Sequence, residues 1–221
     1  MELAVSLEDA RVACAESVTA FLSAVDDVGE YDLLAASRCH GWTRLDVVVH
    51  VIGGWEEMLR GLVSRVDAEP TVDAASYWSA WEAEFGTDDP VPALMSQRRR
   101  TAAYTRPAAA TAELHDVGAA LQIGIDLFQE GACTWQGHVF SAGDFLAVWA
   151  VEHVVHQLDL RSEAAPPPAS ALRLARATIE ALVGEPLPPS WSDLDATLVG
   201  TGRLPVPDDA GSLGARLPAL G

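Results

Sequence analysis

Apolar residues recur along this chain at three- and four-residue steps, in blocks separated by polar or proline-bearing stretches. In 6–26, Leu7, Val12, Val18, Phe21, Leu22 and Val25 fit one buried side of a helix, started by Ser6 and the acids Glu8 and Asp9. The spacing repeats over 43–66 through Leu45, Val48, Val49, Ile52, Trp55, Leu59, Leu62 and Val66, behind a Thr43-x-x-Asp46 capping box. The β-branched run 47–52 would suit a strand, but the long continuation and the cap favour helix. A short aromatic segment, 74–85, carries Tyr77, Trp78, Trp81 and Phe85. Helices are expected over 90–105 and, restarting at Pro107, over 107–130. Gln136-Gly137 marks a turn between β-prone residues in CTWQGHVF (133–140), which predicts a small hairpin. A second capping box, Ser141 and Asp144, opens a helix expected to run to about Glu163 and stop at APPP (165–168). One further helix, 170–183, is followed by GEPLPPSW and a tail with little periodicity. Long amphipathic helices with at most one hairpin predict an all-α bundle, up and down with one longer crossover. APPP divides it into a bundle, 1–164, and a short C-terminal extension, 165–221.

Charge and composition narrow the function. The chain has 221 residues, 49% of them hydrophobic, and a formal net charge of −18 from 32 acidic and 14 basic residues. That balance argues against a nucleic-acid partner, whose phosphates need a basic face. No apolar run is long enough to span a membrane. MELAVSLEDARVACAES has no basic n-region, so no secretory leader is expected. Cys14, Cys39 and Cys133 are few and widely spaced, which suits free thiols in a cytoplasmic setting. All 14 basic residues are arginine, which rules out a lysine Schiff base and the lysine-dependent phosphate loop. An acidic, aromatic-bearing bundle is compatible with a homodimer.

The candidate chemistry lies in VEHVVHQLDL (151–160). Phe145, Val148, Trp149, Glu152, Val155, His156 and Asp159 share one otherwise apolar helix face. An unpaired carboxylate there would be costly, so Glu152 needs a partner. Glu152 and His156, at i and i+4, form a two-ligand metal platform, or else pair directly with no metal. His50, about two turns into the second helix and followed by Gly53 and Gly54, is the best third ligand. Two imidazoles and one carboxylate would leave an open position, the pattern of a catalytic rather than structural site. His153 falls off the inward stripe and is expected to face solvent; His40 and His138 fall in loops. Trp42, Trp55, Trp81 and Trp149 are candidates to line a pocket, although plain core packing is the favoured role for each. Cys39 precedes the second helix and reads as an inert thiol.

CHGWTRLDVVVHVIGGWEEML (39–59) and DFLAVWAVEHVVHQLDL (144–160) resemble the two metal-bearing motifs of the DinB/YfiT-like superfamily. More narrowly they are similar to the N-terminal domain of the mycothiol-dependent maleylpyruvate isomerase family. The matching positions are Gly41, Trp42, His50, Glu152, His156, Asp159 and Leu160, and the resemblance spans roughly residues 5–163. It implies a DinB-like four-helix bundle with a divalent metal, usually zinc, held by His50, Glu152 and His156, and Asp159 in support. It also implies a low-molecular-weight thiol as co-substrate. The lysine-free, Ala- and Arg-rich composition suits a high-GC actinobacterial source, hence mycothiol. The implied activity is isomerisation or S-transfer on a small electrophile. The alternative is a non-catalytic metal- or small-molecule-binding protein on the same fold. The resemblance also implies a second, C-terminal domain that contributes catalytic side chains, and here only the short extension follows APPP. An anionic substrate would then need cations from elsewhere. Arg98 and Arg99, with Arg100 beside them, are the candidates, and Arg161 and Arg203 are weaker ones.

Overall fold

The computed structural model describes residues 2–87, 89–162 and 165–220. Four long helices form the bundle: α1 (Leu7–Asp27), α2 (Arg44–Val63), α5 (Pro107–Leu127) and α6 (Ala142–Asp159). They pack as a ring, α1 on α6, α6 on α2, α2 on α5 and α5 on α1. The long crossover from α2 to α5 carries α3 (Ser76–Phe85) and α4 (Val91–Thr101), and α4 leans on α2. The architecture is therefore the all-α, DinB-like bundle that the periodicity and the motifs predict. Phe21, Trp55, Met58, Leu114, Leu121, Phe145 and Leu146 fill its centre, all fully buried. Close approach of α2 to α6 depends on Gly61, where a β-carbon would lie 2.3 Å from Phe145 Cζ.

The same local device starts several helices. Ser6, Thr43 and Ser141 each accept the backbone N–H of an aspartate three residues on, Asp9, Asp46 and Asp144. The hairpin forms as expected from β2 (Ala132–Trp135) and β3 (His138–Ser141), turning at Gln136 and Gly137, both at positive φ. A two-residue strand, β1 (Arg65–Val66), pairs with β2 and makes the sheet three-stranded. Its two residues are too few to leave a periodic signal in the sequence.

Two expectations change beyond the bundle. The α6 helix ends at Asp159, ahead of the expected stop near Glu163, with Arg161 in the left-handed region; Glu163 itself lies outside the described residues. The tail is more structured than its composition suggests. After α7 (Ala169–Val183) come α8 (Asp193–Gly200) and a 3₁₀ segment, Asp208–Arg216, kinked at Gly211. Ser192 caps α8 by accepting the Asp195 N–H, the same Ser/Thr-x-x-Asp signal that marks the bundle helices. Ile179, Val183, Leu187, Trp191, Val199, Leu213 and Leu217 form a small core of their own. α7 lies across α6 and α1, so Val151, Val154 and Val155 are covered by Ala171, Ala175 and Leu220. α6 is thus buried on both sides, which accounts for its apolar character all round.

Candidate metal centre

α2 and α6 bring His50, Glu152 and His156 together. Glu152 Oε1 lies 3.3 Å from His50 Nε2 and 3.1 Å from His156 Nε2. The two imidazole centroids are 4.7 Å apart. One ligand atom from each residue falls within 4.8 Å of the others, a span that a single ion can bridge. The site is open on one side, with His50 and Glu152 side chains 31% and 28% exposed and His156 9%. Trp42 closes part of the rim, its ring 5.1 Å from His50 and stacked at 6.5 Å on His156. Gly53 and Gly54 do leave space beside His50, and it is filled. A β-carbon at Gly54 would lie 3.1 Å from Trp149 Cζ3, and one at Gly53 would lie 3.3 Å from Arg100 Nη1. Trp55 is instead in the core, and Trp81 packs on Phe85.

Asp159 sits behind His156 and is fully buried. Its Oδ2 accepts from His156 Nδ1 at 3.1 Å, which leaves Nε2, facing Glu152 Oε1, as the imidazole's ligand atom. The same carboxylate accepts the Cys39 thiol at 3.0 Å and a two-pronged contact from Arg203, Nε to Oδ1 at 3.1 Å and Nη2 to Oδ2 at 3.0 Å. The tail residue Arg203 therefore clamps the carboxylate that orients a candidate ligand. Sequence spacing offers no signal for this contact, because only the folding-back of α7 and α8 creates it.

The electrostatics follow from these contacts. Burial alone would raise the Glu152 pKa, but the charge and hydrogen bonds of the two imidazoles hold it well below the usual carboxylate range. Burial works against charge on His156, and the adjacent Glu152 and Asp159 carboxylates outweigh it and hold its pKa well above the ordinary value. At His50 burial dominates, and its pKa is lowered. An ionised carboxylate between two imidazoles, with a buried acid behind one of them, is a donor set that fits a divalent cation.

His153 is a correction. It does not face solvent but is 1% exposed, in the core between α1 and α2. Trp55 Nε1 donates to its Nε2 at 2.9 Å. Its Nδ1 lies 3.0 Å from Ser17 Oγ, whose own hydrogen goes to the Cys14 carbonyl. The network therefore assigns the hydrogen to Nδ1 and leaves the ring neutral and fully partnered, and burial pushes its pKa down to about 3. His138 is also no loop residue, since it stands in β3. Arg98, Arg99 and Arg100 are all exposed; Arg98 donates to the Gly41 carbonyl at 2.9 Å, and Arg100 is the one turned toward α2, at Gly53.

A helical bundle with a two-histidine, one-carboxylate cluster at the α2–α6 seam defines the class. Residues 14–161 match the family profile described as the mycothiol maleylpyruvate isomerase N-terminal domain, and the chain belongs to that family. Two solved structures share the fold: a mycothiol-dependent maleylpyruvate isomerase (TM-score 0.58) and its histidine-to-alanine mutant (TM-score 0.55). Each is 16% identical, with 81% of this chain and 72% of the other covered. No curated protein matches the sequence.

Proposed function

We propose that the protein is a metal-dependent enzyme that uses a low-molecular-weight thiol, mycothiol, for isomerisation or S-transfer on a small electrophile. The observation that carries this reading is the convergence of His50, Glu152 and His156 from two helices on one half-open site, with Asp159 fixing the His156 tautomer. Membership of the family supports it. These three residues would hold a divalent metal, with zinc the candidate. When bound, such an ion lowers the pKa of a coordinating thiol and presents it as thiolate near neutral pH. The chain's own contribution is geometric and electrostatic. Glu152 stays ionised between the imidazoles, Asp159 keeps the Nδ1 proton in place, and Trp42 restricts water at the rim.

The test is metal content by mass spectrometry on untagged protein, followed by turnover of an electrophile with and without mycothiol. About one equivalent of metal and thiol-dependent turnover are expected. Metal without turnover would favour a binding or regulatory protein. A wild type that takes up no metal would sink the reading.

A further inference from the structure

Three consecutive arginines end α4, and the structure treats them differently. All three are solvent-exposed, and Arg98 is engaged by the Gly41 carbonyl. Arg100 is aimed. Gln97, 1% exposed, anchors its amide nitrogen on the Asp46 carbonyl of α2 at 2.8 Å, and its amide oxygen accepts from Arg100 Nη2. The guanidinium so held comes down over Gly53, one turn beyond His50 on the same face of α2, where any β-carbon would crowd it.

Arg100 also keeps its charge available. The chain holds 32 acidic residues against 14 basic, yet among the described residues no carboxylate lies within ion-pair distance of Arg100. Arg203, by contrast, is neutralised by Asp159. A buried neutral amide therefore positions Arg100 without discharging it. A planar guanidinium presented this way matches a carboxylate in a forked, two-bond contact.

We propose that Arg100 is the anion-recognising residue of the centre, binding a carboxylate carried by the small molecule that enters beside His50, Glu152 and His156. This rests on the metal-centre reading above. The carboxylate belongs either to the thiol or to the electrophile, and the chemistry of recognition is the same for both.

The test uses full-length protein loaded with cobalt(II), in wild-type, Arg100→Gln and Arg100→Lys forms, with metal content measured first. Visible absorption then follows titration with 3-mercaptopropionate, 2-mercaptoethanol and malonate. Arg100→Gln should weaken at least one carboxylate probe by about tenfold or more, leave 2-mercaptoethanol within about twofold, and be partly rescued in Arg100→Lys. Loss confined to 3-mercaptopropionate places the carboxylate on the thiol, and loss confined to malonate places it on the electrophile. Loss of both makes Arg100 a general anion site. Equal carboxylate affinities in wild type and Arg100→Gln, or an equal loss for the neutral thiol, would overturn the assignment. A wild type without metal would overturn it together with the metal-centre reading, and the prior metal analysis tells the two failures apart.

Discussion

His153 and His156 stand one turn apart on α6, both buried, and meet opposite surroundings. His153 is held by an indole N–H and a hydroxyl, both neutral, and stays an uncharged core residue. His156 is held between two carboxylates, Glu152 and Asp159, and becomes a place where positive charge is welcome. Burial is common to the two and so does not decide the role. The partners decide it: neutral groups hold both ring nitrogens of His153, whereas on His156 a buried carboxylate, Asp159, holds Nδ1 and turns Nε2 toward Glu152 in the half-open site.

That contrast breaks most sharply at the candidate ligands. Glu152→Ala and His156→Ala should each lose metal, with affinity falling more than about a hundredfold, whereas His153→Ala should keep its full equivalent. Stability should reverse the ranking of the two histidines. His153→Ala strands the Trp55 N–H and leaves a cavity, so urea unfolding of the metal-free proteins should show a loss of about 3 kcal/mol. Asp159→Asn tests the link between the two levels. It should lower metal affinity by about 10- to 100-fold without abolishing binding, measured by competition with a chelator. The smallest effect concerns the thiols. Burial pushes Cys133 up to about 12 and raises Cys14 further, so neither forms thiolate at pH 8. Alkylation at pH 8 should label half-buried Cys39 and spare the other two, read by peptide mass spectrometry.

The bundle was legible because its signals are local. Ser/Thr-x-x-Asp caps, three- and four-residue apolar steps and the Gln136-Gly137 turn each act within one element. Three candidate ligands were legible for the same reason, Glu152 and His156 by helical spacing and His50 by its depth in α2. His153 was misread because the inward stripe of α6 was drawn too narrow: Leu146, Trp149 and Ala150, one and two turns before it on its own side, are buried too, and its partners Ser17 and Trp55 come from α1 and α2. The tail was misread because its prolines mask the Ser192 cap. Arg203 had no local signal at all, since its partner lies 44 residues away and meets it only after the tail has docked.

The Arg203–Asp159 contact joins two events that would otherwise be independent. Asp159 Oδ2 is shared between His156 and Arg203, and its Oδ1 goes to Arg203 as well. Whatever the docked tail adds to the hold on an ion at His156, the bound ion must return to the docking of the tail, by the reciprocity of coupled equilibria. If the centre binds metal, the segment after APPP would act as a latch on it: ligand occupancy and resistance of the tail to proteolysis should rise and fall together.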